Sequence, residues 1–181
     1  MIGQSPRSRL TLPVSERDHI IGPLTAPVTL VKYGDYECPN CGQAHPLVME
    51  LIRLLGRGLC FAFRHFPLAT IHPHAQQAAE AAEAAGAQGK FWEMHDVLFE
   101  YQHALEDEDL VRYAAALDLD IPRFVSELTR RIHAPRVRED FLTGVRSGVH
   151  GTPTFFINGL RHDGPHDLGT LLAAIKYAVE A

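Results

Sequence analysis

The chain has 181 residues, enough for one compact domain or for one domain carrying an insertion. Apolar residues make up 46% and charged residues 22%, the balance of a folded globular protein, which sets aside disordered and fibrous classes. Lys and Arg number 17 against 22 Asp and Glu, a net charge of -5 with no dense basic block, so neither nucleic acid nor an anionic membrane is an expected partner.

In chain order, Met1 to Leu10 is polar, carries Arg7 and Arg9, and lacks the apolar stretch and small-residue cleavage site of a secretory signal. A cytoplasmic location is expected, or a periplasmic or secreted one if the chain is a clipped mature form. No run approaches the ~18 apolar residues of a membrane span, and none is expected. Val28 to Tyr33 is β-branched and aromatic between Pro27 and Gly34, the pattern of a short buried strand. After Cys41, Leu47, Val48, Leu51, Ile52, Leu54 and Leu55 recur at helical spacing up to Gly56, a natural stop. Leu59 to Phe66 again predicts a strand, closed by Pro67, so a right-handed β-α-β crossover is expected.

From His74 to about Arg146 the sequence is Ala-rich and amphipathic, punctuated by Gly86, Gly89 and Pro122, and predicts several helices. Phe91, Trp92, Met94, His95, Leu98 and Phe99 fall on one apolar face, which core packing explains. Asp107 or Asp120 is placed to cap the segments that follow, and the run Glu106 to Asp109 suits a solvated helix start. Thr154 to Asn158 predicts a strand, Asn158-Gly159 a two-residue hairpin, and Asp167 a cap for a last helix to about Val179. The order is β-α-β, helices, β-β-α.

Three cysteines cannot make a disulfide framework, because one is left over. Cys38 and Cys41 form a C-x-x-C where a strand feeds a helix, which reads as a redox motif. A cysteine there meets exposed N-H groups and the positive end of the helix dipole, both of which favour its thiolate. Cys38 is thus the expected nucleophile. Pro39 suits the first turn, since its missing N-H has no partner there anyway, and the spacing places Cys41 one turn behind, ready to resolve a mixed disulfide. A zinc site needs four ligands. The best additions, His45 and Cys60, stand on the helix and a neighbouring strand, with no second C-x-x-C. A binding module holding a metal or iron-sulfur ligand through the cysteines stays as the alternative.

The segment Val28-Thr29-Leu30-Val31-Lys32-Tyr33-Gly34-Asp35-Tyr36-Glu37-Cys38-Pro39-Asn40-Cys41 resembles the active-site segment of DsbA-like thiol-disulfide oxidoreductases of the thioredoxin superfamily. Arg64-His65-Phe66-Pro67-Leu68, His72-Pro73, Phe91-Trp92-Glu93-Met94-His95 and Gly148 to Gly159 extend the resemblance, in the family's order, over roughly residues 20 to 181. It implies a thioredoxin fold, residues 20-70 and 147-181, with an inserted helical domain at 71-146 and an N-terminal extension at 1-19. It also implies a cis proline at Pro153, set against the cysteine pair, with Thr152 receiving an extended peptide and Pro39 and Asn40 shaping the active site. The expected partners are protein or peptide thiols and disulfides, with an unidentified electron donor or acceptor. No cofactor or metal is expected beyond a Cys38-Cys41 disulfide.

One departure is Lys32, where such proteins often carry an acidic residue. Lysine there could stabilise a thiolate, or accept a proton if burial lowers its pKa. The plainer reading has it reach past the strand end to solvent, or pair with Asp35 or Glu37. Cys60, mid-strand beside Phe61 and Phe63, reads as a core thiol, and the eleven histidines as structural or surface residues.

Overall fold

The computed structural model describes residues 8-180. Five strands, β1 (His19–Ile21), β2 (Val28–Gly34), β3 (Leu59–His65), β4 (Thr154–Ile157) and β5 (Leu160–His162), form one sheet in the order β1-β3-β2-β4-β5. Helix α1 (Pro39–Leu55) joins β2 to β3 through a 3-10 turn at Gly56–Gly58. Between β3 and β4 stand α2 (Ala75–Gly86), α3 (Phe91–Glu100), α4 (Asp107–Ala116), α5 (Ile121–Thr129) and α6 (Ala134–Arg146), with no strand among the described residues. Helix α7 (Leu168–Glu180) closes the chain's order of elements, which is the expected thioredoxin fold with a helical insertion.

Strand β1 is the addition to that expectation. Its three half-buried residues pair antiparallel with Phe61 to Phe63 of β3, and a run so short carries no periodicity to read. Beyond the other edge, Arg9 bridges Leu160, with Leu10 N-H donating to Gly159 O at 2.8 Å and Arg161 N-H to Ser8 O at 2.9 Å.

The chain divides into two compact units. Among the described residues, one holds 8–33, Ala44–Arg64 and 142–180; the other holds Gly34–Gln43 and His65–Phe141. In the sheet-bearing unit, β4 buries Phe155, Phe156 and Ile157, and α7 buries Leu171 and Ile175 one turn apart. Each large apolar side chain so buried contributes about 1.5–3 kcal/mol. Asn158 and Gly159 take φ of 46° and 78°, the left-handed geometry that a two-residue hairpin requires. Asp167 caps α7, accepting from Thr170 N-H at 2.9 Å.

A buried ion pair holds this unit's N-terminal segment. The Arg64 guanidinium is fully buried and donates to both Asp18 oxygens at 2.8 and 3.0 Å, to Tyr33 Oη at 3.1 Å and to the carbonyls of Leu12 and Pro13. Burial alone would raise the Asp18 carboxyl, but Arg64's hydrogen bonds and charge, with help from Ser15 N-H and Arg17, hold it below the usual carboxylate range.

In the helical unit, α2 is buried nearly all round, and its alanines let α3 and α5 pack closely. Its two buried carboxylates are paired: Glu80 accepts from Arg131 at 2.7 Å, and Glu83 meets His65 Nε2 at 2.8 Å. Asp120 caps α5 through Arg123 N-H at 3.0 Å, as expected. Asp107 does not cap α4. Glu106 is the N-cap, in a reciprocal box with Asp109, and Asp107 is the first helical residue.

Candidate active site

The strand β2 ends at Gly34, and three residues, Asp35, Tyr36 and Glu37, separate it from Cys38. A local turn forms first: Cys38 N-H donates to Asp35 O at 3.2 Å, and Glu37 N-H to Asp35 Oδ1 at 2.8 Å. Pro39 then opens α1, so Cys38 stands immediately before a helix N-terminus. Cys38 is 5% exposed and Cys41 0%, which leaves Cys38 the more accessible of two enclosed sulfurs. Pro46 lies inside α1 and cannot donate to Gly42 O, yet the helix runs on for nine residues beyond it.

Each residue of the turn is fastened within the helical unit. Asp35, 1% exposed, accepts from Leu68 N-H at 2.9 Å and pairs with His72 Nδ1 at 2.7 Å. Tyr36 Oη lies 2.8 Å from His95 Nδ1, and its ring is 4.8 Å from that of Phe99. Burial, then the carboxylates Glu83, Asp96 and Asp140, pushes the Tyr36 phenol well above its ordinary value, so it stays protonated. Glu37 accepts from His74 N-H at 2.7 Å and pairs with His74 Nδ1 at 2.9 Å, while His74 Nε2 lies 3.1 Å from Glu106. The Glu37 hydrogen bond outweighs burial and, with the charges of Glu37 and Glu106, raises the His74 pKa. Sequence reasoning missed this set by reading the histidines singly. A signal existed: Asp35-x-Glu37 and His72-x-His74 share one spacing and pair in order.

The sheet-bearing unit holds the other site candidates. The Thr152-Pro153 peptide is cis, and Thr154 Oγ1 donates to Gly151 O at 2.7 Å just after it. Thr152 and Pro153 line an open cavity of about 480 Å³ with His150, Arg161, His162 and His166. Lys32 is 1% exposed, so it does not reach past the strand end to solvent. It stands opposite Phe155 in β4, which stands opposite His162 in β5. The three share a face of the sheet, and the His166 ring lies 5.1 Å from that of Phe155. Burial, then the charges of His162 and Lys32, lowers the His166 pKa. Cys60 is fully buried in β3, where burial and then Asp18 push its thiol up, as suits a core residue.

The sequence profile of the thioredoxin family matches residues 14–177. Among curated proteins, the chain is 51% identical over 170 residues to Na(+)/H(+) antiporter NhaA 3 of Salinispora tropica, covering 93% of this chain and 26% of that protein. Against NhaA 1 of Mycobacterium sp. it is 47% identical over 165 residues, covering 89% and 27%. The chain thus spans about a quarter of the length of the curated relatives it matches. Among solved structures, oxidised BdbD from Bacillus subtilis superposes with a TM-score of 0.82 at 21% identity, covering 99% of this chain and all of that one. A thioredoxin-like oxidoreductase from Silicibacter pomeroyi reaches 0.78 at 26% identity over 92% of this chain and 95% of that one. The fold is also that of α-DsbA1 from Wolbachia pipientis, with a TM-score of 0.79 at 20% identity over 94% of both chains. The chain belongs to the thioredoxin family and has the fold of its DsbA-like members.

Proposed function

We propose that this chain is a thiol-disulfide oxidoreductase acting on protein or peptide substrates through Cys38 and Cys41. The observation that carries the reading is a C-x-x-C set at the first turn of α1 in a thioredoxin-family chain. The backbone N-H groups and positive dipole end at the start of that helix favour a thiolate at Cys38. In the reducing direction, the Cys38 thiolate attacks one substrate sulfur, forming a mixed disulfide and expelling the other sulfur as a thiolate. Cys41, deprotonated, then attacks the Cys38 sulfur and releases the second substrate thiolate. The substrate gains two electrons and two protons, and the pair becomes a disulfide; oxidation is the reverse. No further cofactor enters, and a separate dithiol or disulfide partner resets the pair.

Supporting roles follow from placement. Pro39 starts the helix without sacrificing a needed N-H, and Asn40 fills the gap between the cysteines. We assign Thr152 and Pro153 to receiving the extended substrate backbone, since the Thr152 main chain has no competing strand N-H at the next residue. Lys32, buried in the sheet, is assigned an electrostatic role. The 71-146 segment serves as the helical insertion to the 20-70 and 147-181 core.

The relatives' name describes sodium and proton exchange across a membrane, which requires long apolar spans. No described helix of this chain is long and apolar enough to cross a membrane. We assign the thiol chemistry to this chain, which matches about a quarter of each relative's length. A cytoplasmic site is the proposed location, where a glutathione poise of about -220 to -320 mV would favour the reducing direction.

The test is a trap. Cys41→Ser should still attack disulfides but not resolve them, so mixed disulfides through Cys38 should accumulate on incubation with a small disulfide-containing protein. Full insulin-reducing activity with no trapped adduct would refute the two-cysteine mechanism.

A further inference from the structure

Between α3 and α4 the chain turns through Tyr101 to Ala104, and α4 steadies the turn. Tyr113 Oη donates to Ala104 O at 2.7 Å, and its ring stacks on Tyr101 at 5.9 Å. From this turn Gln102 reaches the start of α1. Its Nε2 lies 2.8 Å from Tyr36 O and 2.8 Å from Cys38 O, so its two amide hydrogens serve the carbonyls on either side of Glu37. Its Oε1 faces Gly42, where an added Cβ would lie 2.0 Å away. Cys38 O also accepts the helical N-H of Gly42 at 3.1 Å. All of these groups belong to the helical unit.

A carbonyl oxygen is the negative end of a dipole, and one close to a sulfur that must carry charge opposes the thiolate. A donor bound to such oxygens withdraws that charge and fixes the peptide planes from which the helix starts. We propose that Gln102 is the positioning residue of Cys38: by binding the carbonyls of Tyr36 and Cys38 it maintains the helix start that favours the Cys38 thiolate. Gly42 is glycine because the Gln102 side chain occupies the space of its Cβ. This inference rests on reading Cys38 as the nucleophile.

The experiment is the pH profile of iodoacetamide labelling at Cys38 in the reduced full chain, read by mass spectrometry. Gln102→Leu keeps the side chain's bulk and removes both donors. Gly42→Ala displaces Gln102 from the opposite side while placing a better helix former in α1, so it should keep or raise the melting temperature. Both variants should move the labelling midpoint up by about half a pH unit, roughly threefold slower labelling below the midpoint, and the double variant should move it no further. Unchanged profiles in folded variants would overturn the proposal. If Gln102→Leu fails to fold, Gly42→Ala decides alone. Labelling reads one thiol and needs no disulfide, so a Cys38 that never pairs with Cys41 would defeat the oxidoreductase reading and leave this test intact.

Discussion

Lys32 occupies the middle of the sheet with 1% of its surface exposed, in a row with Phe155 and His162. A charge so placed acts through a poorly screening medium, and after burial and His162 it adds to the lowering of the His166 pKa. Removing the charge removes part of the depression. In Lys32→Met the His166 titration midpoint, followed by NMR of the ring Cε1-H, should rise, and a midpoint that stays in place would contradict this electrostatic reading. Position 32 also shows where sequence reading stops. The residue type was legible, but whether the side chain turned to solvent depended on Phe155 and His162, over 120 residues away.

At the level of elements, the strands and helices that frame the site were legible because each carries its own signal. Examples are the β-branched run of β2, the helical spacing of α1, the Asn158-Gly159 turn and the Asp120 and Asp167 caps. What was missed is held by partners distant in sequence. Asp35 meets His72 and Glu37 meets His74 across 37 residues, and Arg64 meets Asp18 across 46. At the start of α4 the expected cap was Asp107, and the one found, Glu106, is fixed by its reciprocal bond with Asp109.

These braces have opposite pH signs. The folded pKa of Asp18 lies below its unfolded value of about 3.9, so its stabilisation is present above that pH and is lost as pH falls through the folded value. Asp18→Asn leaves a buried guanidinium without its counter-charge and should cost about 3–5 kcal/mol in urea unfolding at pH 7. The variant should also lose part of the wild-type acid sensitivity below about pH 4; an equally steep decline would show that Asp18 does not drive it. His74 behaves in the reverse sense. Its folded pKa is raised, so its contribution is complete below about pH 6.5 and is lost as pH rises through the folded value. His74→Gln should flatten the stability profile across that interval, as monitored by thermal melts at stepped pH.

At the scale of the whole molecule, the sheet-bearing unit contains the cis Thr152-Pro153 peptide and the buried Lys32, and the helical unit contains the C-x-x-C turn held by three paired side chains and Gln102. The curated relatives NhaA 3 and NhaA 1 match this chain at 51% and 47% identity over about a quarter of their own length. Cys38 and Cys41 are proposed to form a reversible two-electron couple. The most direct measurement equilibrates the purified protein with graded ratios of reduced to oxidised glutathione and traps each mixture with an alkylating reagent for mass spectrometry. A reversible couple gives a single transition in which Cys38 and Cys41 lose their labels together, with the slope of a two-electron couple, tenfold in the equilibrium constant per about 30 mV. Both cysteines labelled at every ratio, or protected by a stoichiometric bound metal, would contradict it.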